Sequence, residues 1–174
     1  MHKFLYDPKA HDYWADEGIP SFMEKAYGYL YKETPDAPQN LHLEIGFPDS
    51  SSQFWLWLTH HALKLSQIVS SARLGDPSNE DAQRMVALFL YKNDKLKQFL
   101  DLTFKAERGK YRYFIEAAFN KPLSELDPLF DAYIADLNKN HDAINKLPES
   151  EIFGSKEEYD RFIKEHDLAA TLHL

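Results

Sequence analysis

The side chains of this sequence that could ligate a metal or move a proton are its histidines and carboxylates, because the chain has no cysteine. That absence removes disulfides, thiolate nucleophiles and Cys-type zinc sites together. The densest group of candidates lies near the N-terminus: His2, His11 and the run Trp14-Ala15-Asp16-Glu17-Gly18, with Glu24 seven positions after Glu17. Taken residue by residue, Glu17 reads as an acidic group in the first turn of a helix, where the macrodipole favours it, and His11 as a solvated histidine ahead of that helix. His60 and His61 are adjacent and leave a helix in different directions, so at most one of them could face a cleft. Trp55 and Trp57, with Phe54 and Leu58, could wall a binding site, although aromatic residues at helical spacing usually serve the core. Lys105, Arg108, Lys110 and Arg112 could hold a substrate carboxylate or form a solvated helix end. No Ser-His-Asp set can be singled out, and neither a Walker loop nor a dinucleotide fingerprint occurs, which disfavours ATP- and NAD-dependent chemistry.

The stretch from His11 to Glu24 resembles the Trp-x-x-Glu-Gly segment of gluzincin zinc metallopeptidases. The resemblance implies that Glu17 is the third zinc ligand and Glu24 the acidic residue that often follows it. In that family the other ligands come from His-Glu-x-x-His on a preceding helix: residues four apart share a face, and the intervening glutamate activates the zinc-bound water. No complete His-Glu-x-x-His occurs in the sequence. If His2 stands for the second histidine of the motif, the first histidine and the catalytic glutamate would lie three and two codons ahead of Met1. Gly46-Phe47-Pro48-Asp49, Ala82-Gln83 with Val86 to Leu90, and Phe114 to Phe119 with Leu123 to Leu126 extend the likeness over residues 2–137. Residues 138–174 then form a helical C-terminal extension.

The family resemblance implies zinc as cofactor and a peptide or protein as substrate, with the metal ligands His2 and Glu17 present in this chain. Two ligands fall short of the three that catalytic zinc sites take from the protein. Where relatives often carry an oxyanion-stabilising tyrosine, this chain has Asp81, whose negative charge would repel an oxyanion. Tyr91, Tyr111 and Tyr113 are the available substitutes. The expectation is a C-terminal helical portion of a gluzincin-like metallopeptidase, with no catalytic residue of its own and negligible activity alone. The rival expectation is a non-catalytic helical domain that binds a protein partner, for which an exposed Trp55-Trp57 face would speak.

Composition limits both readings. Twenty-eight Asp and Glu against twenty Lys and Arg give a net charge of -8, which offers no concentrated basic surface for nucleic acid. No apolar run reaches the length of a membrane span, and Met1-His2-Lys3-Phe4-Leu5 does not read as a signal peptide. With 44% hydrophobic residues, the 174-residue chain can bury a real core as one domain. Compartment and oligomeric state stay open.

The elements expected to position the candidates are nearly all helical, since six glycines in the chain and little period-two alternation favour helix. The expected architecture is an all-α orthogonal bundle of six to eight helices with one long irregular segment after the first long helix. That first helix should run from Asp16 or Glu17 to about Lys32, with Pro20 in its first turn and Ile19, Phe22, Met23, Ala26, Tyr27 and Leu30 inward. The irregular segment covers residues 33–52, in which Leu41 to Ile45 alternates and could form a short strand. A central apolar helix is expected over Gln53 to Arg73, capped by Ser50 to Ser52, and further helices over Asn79 to Tyr91, Asp94 to Lys105 and Tyr111 to Phe119. Capping boxes at Ser124 and Ser155 should open the last two.

Overall fold

Trp14, Ile19 and Phe22 share the inner side of the first helix, α1 (Trp14–Glu24), and all three are buried. The computed structural model describes residues 14–48, 63–70, 77–105, 111–148 and 150–169. Among them, α1 is followed by strands β1 (Ala26–Tyr31) and β2 (Asn40–Ile45), then by helices α2 (Leu65–Ser70), α3 (Pro77–Lys92), α4 (Leu96–Lys105), α5 (Tyr111–Phe119), α6 (Leu123–Lys139) and α7 (His141–Ile144). Strand β3 (Glu151–Phe153) and helix α8 (Lys156–Glu165) complete the order.

The expected all-α bundle is corrected by a three-stranded mixed sheet of order β2-β1-β3. The first helix stops at Glu24 rather than Lys32, and Ala26-Tyr27-Gly28-Tyr29-Leu30-Tyr31 extends instead. These residues satisfy helical spacing by coincidence but also alternate with period two, and three tyrosines in register favour the pleated form once partner strands exist. Tyr27, Tyr29 and Tyr31 lie opposite Glu44, His42 and Asn40 of β2, antiparallel, while β3 pairs with β1 in parallel. The alternating segment 41–45 does become a strand. The stretch 138–174, expected to be helical, supplies β3 and then α8, which covers the tyrosine face: Tyr159 meets Tyr29 at 5.7 Å and Phe162 meets Tyr27 at 6.3 Å between ring centroids.

The helical layer is organised by α3, in which every residue from Ala82 to Leu90 is buried, the polar Gln83 and Arg84 included, so it is enclosed on all sides rather than along one stripe. Phe89 alone touches Phe119 of α5 and Phe130 and Tyr133 of α6, at 5.3, 5.3 and 5.6 Å. The larger part of the expected central helix at 53–73 lies outside the described residues. Within α2, Leu65, Ile68 and Val69 are buried. No helix of the described residues is long and apolar enough to cross a membrane.

Several ends differ from the sequence reading for identifiable reasons. Asp94 does not cap α4. It adopts a left-handed φ of 56° and closes α3, with Lys95 N–H donating to the Leu90 carbonyl at 2.8 Å and Asp94 N–H to that of Tyr91 at 3.0 Å. Ser124 lies inside α6, whose N-cap is Pro122; the free N–H of Leu123 donates to Glu116 Oε1 at 2.9 Å. Asp127, expected as part of a local capping box, instead accepts from both the N–H and the hydroxyl of Ser66 at 2.8 Å, closing the start of α2. The Ser155 cap is present: its hydroxyl accepts from Glu158 N–H at 3.3 Å, and Glu158 returns a carboxylate to Gly154 N–H at 2.9 Å.

Helix α1 crosses α3 with backbone against backbone. A Cβ placed on Gly18 would come within 2.4 Å of the Gln83 carbonyl oxygen, which no side-chain rearrangement relieves. Gly18→Ala should therefore lower stability, by roughly 2 kcal/mol, despite the better helix propensity of alanine. The drop in the urea midpoint at unchanged m-value measures it; an unchanged or raised midpoint would show that the two helices can separate without loss.

Candidate functional site

The Trp-x-x-Glu-Gly segment folds as the first turns of α1, and its residues divide by use. Trp14 is fully buried, with its ring 5.2 Å from that of Phe99 on α4. Gly18 makes the close crossing with Gln83, and Ile19 continues the buried stripe. Pro20 sits in the helix interior rather than its first turn, because α1 begins earlier than expected, and its ring nitrogen offers no hydrogen to the Asp16 carbonyl. Glu17 is half-buried, and its side chain makes no hydrogen bond among the described residues. Glu24, two helical turns on, is exposed at the C-terminus of α1.

Asp16 is the residue that the sequence reading passed over. Its side chain is 5% exposed, and among the described residues Oδ1 has no hydrogen-bond partner. Burial, and secondly the neighbouring Glu17 carboxylate, push its pKa from the ordinary 3.8 up to about 7. A carboxyl group that keeps its proton near neutrality is thus fixed beside a carboxylate that makes no hydrogen bond among the described residues, at the helix end where negative charge is best tolerated. The signal in the sequence was the adjacency of Asp16 to Trp14, Ala15 and Gly18, all of which are buried.

The remaining candidates within the described residues are spread over α3, α4 and α5. His2, His11, Trp55, Trp57, His60, His61, Arg108 and Lys110 lie outside the described residues, so the expected pair of ligands His2 and Glu17 is represented by Glu17. Lys105 is exposed at the end of α4 and Tyr113 is exposed on α5. Asp81 lies two residues before Gln83 of the α1–α3 crossing and is half-buried. Tyr91, offered as a substitute oxyanion donor, stands at the far end of α3. Its hydroxyl donates to Glu44 Oε2 at 3.4 Å, and burial followed by the Glu44 charge raises its pKa.

Tyr91 belongs to a second polar group that sequence reasoning missed, because strand β2 and helix α3 meet only in three dimensions. Glu44 also bonds His42 Nε2 through Oε1 at 3.0 Å, and the His42 ring stacks on Tyr29 at 4.9 Å. Lys92 beside it is held below its ordinary pKa by burial, an effect opposed by Glu44. Each oxygen of this carboxylate takes one of these contacts, so the cluster ties the sheet to α3. Among the described residues no three His, Asp or Glu side chains converge on a common point.

Comparison of the chain with protein-family models, with curated proteins and with solved structures finds no significant match.

The raised pKa of Asp16 couples stability to pH. The unfolded chain releases this proton near pH 3.8 and the folded chain near pH 7, so between those values the folded state binds more protons and stability falls as pH rises. Asp16→Asn removes the charge at nearly constant shape and should flatten that slope. At pH 8 the variant should exceed the parent by roughly 1–4 kcal/mol, and near pH 4 the two should coincide. Urea titrations at both pH values test this, and equal stability at pH 8 would contradict a buried, desolvated Asp16.

Proposed function

We propose that the chain is the C-terminal portion of a gluzincin-like zinc metallopeptidase, with Glu17 as the third zinc ligand and His2 as the second. One observation carries this reading. Of the three named residues in Trp-x-x-Glu-Gly, the packing of α1 onto α3 and α4 uses Trp14 and Gly18, while Glu17 remains without a hydrogen bond among the described residues. A carboxylate on a helix, with no hydrogen bond to any other described residue, is what a ligand position requires.

The donor set limits what the chain does by itself. Glu17 fits one ligand position, and the described residues bring no second and third donor to it, so they do not make a zinc site. Zinc in a complete family member polarises the scissile carbonyl and acidifies its bound water. The sequence contains no His-Glu-x-x-His and hence no motif glutamate to take that proton, and peptidase activity of this chain alone is negligible. A non-catalytic, protein-binding role is the second reading, favoured by apolar residues that the sheet leaves open on the face away from α8: Leu41 at 44%, Leu43 at 42% and Ile152 at 54% exposure.

The test begins with the gene, where the three in-frame codons before Met1 should encode His-Glu-x. Protein expressed from that upstream start should hold about one zinc per chain, and Glu17→Ala should reduce this to background with an unchanged far-UV circular dichroism spectrum. Equal zinc in variant and parent would remove Glu17 from the ligands. A stop codon or unrelated sequence upstream would end the catalytic reading.

A further inference from the structure

Strand β2 is an edge of the sheet: β1 lies on one side of it, and no strand of the described residues lies on the other. The direction of its backbone groups follows from the register. Gly46 N–H donates to the Lys25 carbonyl at 2.9 Å, and Glu44, His42 and Asn40 follow in steps of two, opposite Tyr27, Tyr29 and Tyr31. These even positions face β1, so alternation along an antiparallel ladder aims the N–H and C=O groups of Leu41, Leu43 and Ile45 outward. No lysine, proline or bulge blunts the strand, whose pairing with β1 is continuous from Asn40 to Ile45.

We propose that the chain forms a twofold homodimer through this edge, with β2 pairing antiparallel to the β2 of a second copy about Leu43. The choice of occupant rests on self-complementarity. Centred on Leu43, the pairing sets Leu43 against its counterpart and Leu41 against Ile45 on both sides, so that all three outward residues exchange two hydrogen bonds per pair. On the other face it sets His42 of each copy opposite Glu44 of the other, at the non-hydrogen-bonded positions where side chains approach most closely. Centring on Glu44 would oppose two carboxylates, centring on His42 would oppose two imidazoles, and each would leave one outward residue of each copy unpaired. Charge and hydrogen bonding thus select the same register. The result is a continuous sheet of twice three strands with the Leu41, Leu43 and Ile45 side chains of both copies in one apolar strip.

The intrastrand contact between His42 and Glu44 does not compete strongly, since it joins side chains that are 44% and 32% exposed. So short a ladder buries well under the roughly 1,600 Å² of a standard interface, which makes the association a weak one to be sought over a wide concentration range. The inference is independent of the metal-site reading, because neither Glu17 nor His2 takes part in the pairing.

Sedimentation equilibrium of the full chain from about 5 µM to about 1 mM tests it. A monomer–dimer equilibrium is expected for the parent. His42→Glu, which opposes like charges across the axis, should weaken it at least tenfold. Adding Glu44→His again sets an imidazole opposite each carboxylate, in exchanged positions, and should recover most of that loss, while Leu43→Lys should abolish association; circular dichroism establishes that each variant is folded. A parent that stays monomeric throughout overturns the proposal. So does a dimer whose affinity is insensitive to His42→Glu, or one that the double exchange does not recover.

Discussion

The crossing of α1 and α3 at Gly18 and Gln83 is the contact on which the rest of the molecule is built. Because two helix backbones meet there without a side chain between them, Trp14 reaches Phe99 on one side of the crossing and Phe22 reaches Tyr91 on the other, at 5.3 Å. The chain returning from β2 is fixed to the same point. Gly46, with φ of 75°, passes so close over Phe22 that a Cβ would enter the ring, and Phe47 then packs on Tyr27 at 4.3 Å between centroids. Arg84, buried one residue beyond the crossing, donates to the Phe47 carbonyl at 2.5 Å. A cation taken out of water is thereby spent on holding the sheet against the helices.

The helices of this fold were legible where apolar spacing was long and bounded: α3, α5, α6 and α8 fall close to their expected limits. What was not legible has a common cause, the dependence of local choice on distant partners. Residues 26–31 fit helix and strand equally until β2 and β3 supply partners, and a three-residue strand such as β3 carries too little periodicity to register. Caps contributed from afar, such as Glu116 to Leu123 and Asp127 to Ser66, leave no local pattern.

Helix ends were further obscured by the scarcity of glycine. Asp94, Asn120 and Asp167 take the left-handed conformation that glycine usually provides, and in each case the following N–H bonds back into the helix just ended. Short polar side chains tolerate that conformation best after glycine. Of the candidate site, the short motif identified Glu17, but the different work of its neighbours could not be read from one dimension. Trp14 and Gly18 are explained by packing, Asp16 by enforced burial, and the group of Glu44, His42 and Tyr91 by the meeting of strand and helix.

The parallel pairing of Tyr27 with Glu151 joins positions 124 residues apart, and this has a consequence for how the protein comes into being on the ribosome. At about 5–20 residues per second, roughly 6–25 s separate the synthesis of β1 from that of β3. Through that interval β1 can hold only β2, its second edge stays open, and Tyr27 and Tyr29 lack the aromatic cover of Phe153, Tyr159 and Phe162. A nascent chain stopped short of Phe153 therefore displays a bare tyrosine-lined strand edge, the kind of surface that holding chaperones grip.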